Sequence, residues 1–245
     1  MTKFSDRIKK SAKTSPIILA NDYDPKIPNI EAKTLRNIKL LNNYLCGIKI
    51  NFHLLLQLDK KQISKINKNA HDYGLECIAD IKLNDIGNTN SITAENLWNM
   101  GFDAVIVNPI MGKKSLKNLV ELSHKKNKGV ISLCHMSAPE AKLSYELEIK
   151  INSKKQQLYQ LFLDWALTSH VDGIIVGATY PKIISYCKKS VQGKLSLFSP
   201  GIGIQGGSAS KAKKLGSDYL IVGRTILNSK NPVETTKNLV TDSII

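Results

Sequence analysis

Arginine is nearly missing from this chain. Of 35 basic residues only Arg7, Arg36 and Arg224 are arginines, although the formal net charge over 245 residues is +15. Aromatic residues are also sparse, at 6%. There is no arginine-rich arm, no aromatic motif of the kind that stacks on single-stranded RNA, and no zinc-finger spacing. The lysines are dispersed beside Asn and Ile, as in KKQISKINKN and HKKNKG, which reads as a solvated basic surface. No nucleic-acid partner is therefore expected. Such a positive field still favours capture of a small, multiply anionic substrate.

Cysteine is scarce too. Cys46, Cys77, Cys134 and Cys187 form no CxxC pair, and most lie in or beside apolar runs, as free buried thiols of a reducing compartment do. His53, His71, His124, His135 and His170 form no HExxH and no Cys/His cluster, so no metal site is expected. Long apolar runs are absent: nothing approaches the roughly 18 residues of a membrane span. The first stretch, MTKFSDRIKKSAKTSPIILA, holds only a four-residue apolar patch before Asn21 and Asp22, too short for a signal-peptide core. A cytoplasmic protein without membrane contact is expected.

What the chain does have is ordinary core material and a period. Hydrophobic residues make up 42%, with 15 Gly and 8 Pro, as in a globular protein. Eight β-like runs recur: IILAND (17–22), CGIKI (46–50), LECIAD (75–80), DAVIV (103–107), GVISL (129–133), DGIIV (172–176), LSLFS (195–199) and DYLIV (218–222). Between them, stretches such as AKTLRNIKLLNNYL, LKNLVELSHKK and QQLYQLFLDWALTS repeat apolar residues at spacings of three and four, the helical signal. Gly74, Gly101, Gly129 and Gly216 precede strands where helices should end. Strict alternation of strand and helix predicts a parallel sheet. Eight such units in 245 residues predict an α/β fold, a single (β/α)₈ TIM barrel.

One domain over residues 1–245 is expected, with the barrel proper at about 16–235 and an extra N-terminal helix closing its bottom. The interval from the fifth run to the sixth is the longest and carries CHMSAPEAKLSYELEIKINSKK. A connection of that length in a compact domain is commonly a functional loop or lid.

Chemistry in this fold sits at the C-terminal ends of the strands. Those ends read Asp22, Lys49, Asp80 with Lys82, Asn108, Ser137, Thr179, Ser199-Pro200-Gly201 and Gly223-Arg224, a converging ring of polar groups. In ADIKLNDIGNTN (79–90), an extended backbone would put Asp80 and Lys82 on one side by the period of two. Asp85 falls on the turn beyond. SPGIGIQGGS (199–208) and VGRT (222–225) follow the seventh and eighth strands, the usual phosphate position of such barrels. Arg224 there can add a forked pair of charge-assisted bonds. Gly201, Gly203 and Gly206 also spell GxGxxG, but Asp218 begins the next strand instead of ending it, against a dinucleotide site.

With these residues the chain resembles the orotidine 5′-monophosphate decarboxylase family, in its compact archaeal and bacterial form, from about Ile17 to Val233. The DxKxxDIxxT signature is whole, from Asp80 through Lys82, Asp85 and Ile86 to Thr89. Asp22 in LAND, Lys49 in IKI, Ser137 in HMSAPE, Gln205 in SPGIGIQGG, and Gly223 with Arg224 in VGR match the family's remaining motif positions.

The resemblance implies decarboxylation of orotidine 5′-monophosphate to UMP, the last step of de novo pyrimidine synthesis, with no metal or organic cofactor. It implies Lys82 as proton donor to C6, Asp80 beside the departing carboxylate, and Lys49 holding Asp80 and the ribose. It further implies Asp22 and Thr89 at the ribose, Ser137 at the pyrimidine edge, and Gln205, Gly223 and Arg224 at the phosphate, beside Pro200 and Gly201. Finally it implies a homodimer in which Asp85, Ile86 and Thr89 enter the partner's site. Two alternatives stand beside it. Sugar-phosphate decarboxylases and aldolases of the same superfamily share Asp-x-Lys-x-x-Asp but use Mg²⁺. A basic, non-catalytic nucleic-acid-binding protein would use the charge alone.

Overall fold

The structure, a computed structural model, describes residues 2–24 and 26–244. Among the described residues, eight parallel strands close into a barrel. They are β1 (Ile17–Asn21), β2 (Gly47–Asn51), β3 (Glu76–Leu83), β4 (Ala104–Val107), β5 (Gly129–His135), β6 (Gly173–Val176), β7 (Ser196–Pro200) and β8 (Tyr219–Val222). Neighbours in sequence are neighbours in space, and β8 returns to β1 with Leu220 opposite Ile17. Each of the eight runs read from the sequence is one of these strands. Adjacent residues such as Ile17, Ile18 and Leu19 are all fully buried, because one strand face meets the barrel interior and the other meets helices. That is why the runs are continuously apolar rather than alternating. Each such side chain stabilises the fold by about 1.5–3 kcal/mol, enough to fix the barrel while leaving its rim free for polar residues.

The helix Lys60–Asp72 shows how the connecting helices are specified. Asp59 accepts from the Gln62 amide at 2.8 Å, and Gln62 Oε1 accepts from the Asp59 amide at 2.9 Å, a reciprocal cap. Ile63, Ile66 and Ala70 form its buried stripe. It stops at Gly74, whose φ of +73° is the left-handed C-terminal turn. Gly101 and Gly216 act the same way, at φ +93° and +112°. Gly129 does not. The left-handed residue there is Asn127 (φ +57°), and Gly129 is instead the first residue of β5. A Cβ on it would lie 2.2 Å from the Phe4 ring, so this glycine serves packing, not helix termination.

Phe4 belongs to the expected extra helix, Phe4–Ser11. Phe4 and Ile8, one turn apart, are buried beneath the barrel. Arg7 reaches Glu76 at the start of β3 and Asp103 just before β4. This helix therefore covers the N-terminal ends of β3 to β5, at the pole opposite the rim formed by the strand C-termini.

The long connection after β5 is not one loop. It contains a helical turn, Ala141–Ser144, and an exposed antiparallel hairpin, Glu148–Ile151 with Lys154–Gln157. The hairpin flanks a groove with the helices Leu158–Thr168 and Pro181–Val191, so the segment expected to be a functional loop or lid meets the cavity only at its start. Only Met136, Ser137 and Ala138 reach the barrel mouth. Both edges of a two-stranded hairpin are open, and its lysines protect them from pairing with other chains. No helix among the described residues is long and apolar enough to cross a membrane.

Candidate active site

A cavity of about 270 Å³ opens at the C-terminal ends of the strands. Ile106, Leu133, Ile175 and Ile221 give it an apolar floor. Its walls divide into a charged half on β1 to β3 and a loop half on β5, β7 and β8.

The charged half is a chain of alternating signs. Lys49 Nζ lies 2.9 Å from Asp80 Oδ2 and 3.6 Å from Asp22 Oδ1. Lys82 Nζ lies 2.8 Å from Asp80 Oδ1, so Asp80 holds one ammonium at each oxygen. Burial alone would push the Asp80 carboxyl up, but Lys49 and Lys82 outweigh it and hold it below the usual carboxylate range. Burial likewise works against the Lys49 ammonium, and Asp80 and Asp22 overcome it, leaving Lys49 above an ordinary lysine. Asp80 and Lys49 are therefore both ionised at neutral pH.

Lys82 reaches Asp80 by a route that strand alternation does not describe. Asp80 pairs with Ile106 and Leu83 with Val107, so Ile81 and Lys82 are extra residues in a bulge. The backbone at Lys82 is left-handed, φ +46°. A non-glycine residue held there costs about 1–3 kcal/mol, and bulges beside active sites characteristically re-aim a side chain. The Asp80 bond on one side and buried Leu83 on the other keep it in place.

Asn51 was missed from the sequence. It ends β2, two residues after Lys49 and therefore on the same side of the strand. Its amide donates to Asp22 Oδ1 and its carbonyl oxygen accepts from Lys49 Nζ. The period-two signal is present, one residue beyond the run CGIKI (46–50).

Asp85, Ile86 and Thr89 are exposed and lie outside this cavity. Among the described residues Asp85 makes no ion pair with Lys82. Its carboxylate accepts from the Ile86 amide at 2.7 Å, and its own amide donates to Asn90 Oδ1 at 3.1 Å. Buried Asn90, also unforeseen, thus shapes this projecting turn.

In the loop half, Gly201, Gly203 and Gly206 have φ of +94°, +79° and +93°, conformations that glycine adopts without penalty. A Cβ on Gly201 would lie 2.8 Å from Ser137 Cβ. The glycine lets the loop after Pro200 close onto Ser137, whose hydroxyl donates to Gln205 Oε1 at 2.9 Å. A Cβ on Gly223 would lie 2.8 Å from Asp22 Oδ2, so a larger residue there would push the Asp22 carboxylate aside. Exposed Arg224 lines the cavity beside it. Thr225, not anticipated, joins the two loops by donating to the Ile202 carbonyl at 3.1 Å and accepting from the Ile204 amide at 3.2 Å. Two residues of the expected ring are used locally instead. Asn108 caps the turn after β4, and Thr179 donates to the Ser137 carbonyl at 2.9 Å.

Residues 15–239 match the family model described as "Orotidine 5′-phosphate decarboxylase / HUMPS family". The orotidine 5′-phosphate decarboxylase of Pyrococcus furiosus is 34% identical over 207 residues, which span 84% of this chain and 90% of that protein. The crystal structure of orotidine 5′-monophosphate decarboxylase from Methanocaldococcus jannaschii, complexed with inhibitor BMP, is 28% identical. It superposes with a TM-score of 0.79 over 95% of this chain and all of that one. Leishmania donovani UMP synthase shares the fold, with a TM-score of 0.87 at 22% identity, and this chain spans 56% of it. Matched over most of its length and carrying the Asp80–Lys82–Asp85 signature at a barrel mouth, the chain belongs to the orotidine 5′-phosphate decarboxylase / HUMPS family.

Proposed function

We infer that this cavity decarboxylates orotidine 5′-monophosphate to UMP, and that the Lys49–Asp80–Lys82 array performs the chemistry. The observation that carries this reading is Asp80, buried with one ammonium at each oxygen and Lys82 at the cavity wall. Breaking the bond between C6 and its carboxylate leaves an electron pair on C6 in the ring plane, where the π system cannot take it up. Fixed charges must stabilise it. Lys82 Nζ balances that charge and gives its proton to C6, and its own proton is restored from water. Asp80 crowds the departing carboxylate while anchoring Lys82. Lys49, bonded to Asp80, keeps the array rigid and faces the ribose with Asp22.

In the loop half Ser137 meets the pyrimidine edge. Gln205, Gly223 and Arg224 hold the phosphate, with Pro200 and Gly201 shaping the approach. Binding energy from the phosphate is then available at the reacting carbon. The reaction uses no metal. Each Asp80 oxygen already carries an ammonium, which supports the metal-free reading.

The active unit is a two-fold dimer. Asp85, Ile86 and Thr89 project away from their own cavity, Ile86 is 72% exposed, and Ile110 on the adjoining turn is 59% exposed. A partner covers these residues and receives Asp85 beside its own Lys82. One experiment tests both parts: loss of orotidine 5′-monophosphate absorbance in excess EDTA. Wild type should turn over fully, while Lys82→Ala and Asp85→Ala should each be inactive. After subunit exchange their mixture should recover about one quarter of wild-type activity, since half the dimers are hybrids with one intact site. Activity lost to EDTA and restored by Mg²⁺ would move the protein to the sugar-phosphate branch. A mixture that exchanges subunits and stays inactive would refute the shared site.

A further inference from the structure

His135 ends β5 two residues before Ser137, and the charge array makes no use of it. It is fully buried. Tyr180, Tyr145 and Tyr159 surround its ring at centroid distances of 4.3, 5.5 and 5.9 Å. Nδ1 lies 2.8 Å from the Met136 carbonyl oxygen, and Nε2 lies 3.3 Å from Glu146 Oε1. Glu146 lies on the arm leading to the hairpin, so the ring is set between the backbone just after β5 and that arm.

The neighbouring contacts all act on the same segment. The Tyr180 hydroxyl donates to the Ala138 carbonyl at 2.8 Å, and Thr179 donates to the Ser137 carbonyl. Met136 is thus gripped by His135, and residues 137–138 by the turn before the helix Pro181–Val191. We propose that His135 is a positioning residue: its ring, set between the Met136 carbonyl and the Glu146 carboxylate, latches the arm after β5 and sets where Ser137 stands in the cavity. This rests on the reading of Ser137 as a pyrimidine contact.

The test measures the dissociation constant of UMP by calorimetry and the steady-state kinetics of decarboxylation. Wild type, Ser137→Ala, Glu146→Ala and His135→Gln are compared. Glu146→Ala should weaken UMP binding about tenfold, in the range of ordinary coupling between sites, and raise KM while leaving kcat at saturation unchanged. His135→Gln should bind UMP more weakly than wild type. Should it fail to fold, Glu146→Ala, which changes only the far end of the latch, still decides the matter. If Ser137→Ala weakens UMP binding while Glu146→Ala binds as wild type does, the latch is refuted and the reading of Ser137 stands. If Ser137→Ala binds UMP as wild type does, Ser137 leaves the site and the latch loses its target.

Discussion

Two clusters of buried charge lie at opposite poles of the barrel, built from the same kinds of side chain. At the mouth Asp22, Lys49, Asp80 and Lys82 alternate. At the base Arg7, Glu76, Asp103, His71 and Lys128 alternate too. They differ in what is left over. Asp103 Oδ1 faces Arg7 at 3.1 Å and Lys128 at 3.4 Å, and its Oδ2 faces His71 at 2.7 Å and the Cys77 amide at 2.9 Å. Glu76 takes both its oxygens to Arg7. His71, Cys77 and Asp103 do bring ligand-type atoms within 4.8 Å of one another. A metal there would have to displace bonds to Asp103 in a neighbourhood already held by cations. The base is saturated, and its work is to fasten the N-terminal helix to the barrel. At the mouth each Asp80 oxygen is matched to one lysine, while Lys82, 40% exposed at the side chain, keeps donors turned to an open cavity. Counting charges does not separate a catalytic cluster from a structural one; unfilled bonding capacity beside a cavity does.

The sharpest test removes the unfilled donor. Lys82→Ala should lower kcat by about 10⁴-fold or more, because proton delivery and charge stabilisation vanish together. Thermal stability should stay close to wild type, since the Lys82 side chain is 40% exposed and Asp80 keeps its contact with Lys49. A large drop in stability with residual turnover would erase the distinction between the poles.

The mirror-image test is Arg7→Ala. It leaves Glu76 buried without its main counter-charge and takes one cation from Asp103, and it should cost about 3 kcal/mol of stability, read by chemical denaturation. kcat/KM of the folded enzyme should not change. Loss of activity without loss of stability would mean that the base communicates with the mouth.

Much of this was legible in advance, for identifiable reasons. Strands covered on both faces announce themselves as unbroken apolar runs, so all eight were readable. The spacing from Asp80 to Thr89 is local, so the signature was readable too. What could not be read depends on backbone departures or on distant partners. The bulge at Ile81 and Lys82 has no mark in the residue types, and its outcome matched strand alternation by a different geometry. Gly129 looked like a helix end because its true partner, Phe4, is remote in sequence. The hairpin was misread although its signal was present. Leu147, Ile149 and Ile151 alternate with Glu148 and Lys150, and Asn152-Ser153 turns with φ of +47° and +67°, a two-residue turn of the primed kind.

Asn51 tests the finer structure of the mouth. Asn51→Ala removes the bridge between Asp22 and Lys49 while leaving the Lys49–Asp80 contact intact. It should lower kcat/KM about tenfold, the value of one or two hydrogen bonds to charged groups. Most of that loss should appear in KM, because the proposed function puts Asp22 at the ribose rather than at C6. An equal fall in kcat alone would instead tie Asn51 to the proton donor through Lys49.

The smallest effect is expected at the base, from His71. Its bond to Asp103 raises the ring above the ordinary histidine value, against a smaller opposing push from burial. A group raised on folding stabilises the native state fully below its unfolded value, near pH 6.5, and the contribution fades as pH rises through the folded value. Wild type should therefore lose stability relative to His71→Gln across that window. The side chain is 39% exposed, so water screens the pair and the difference should not exceed about 0.5 kcal/mol. Denaturation midpoints of both proteins on either side of the window measure it. The window should leave kcat/KM of the two proteins in constant ratio, because a saturated cluster that titrates still has nothing to offer the substrate at the other pole. A ratio that drifts with the His71 titration would show that the base of the barrel, too, reports to its mouth.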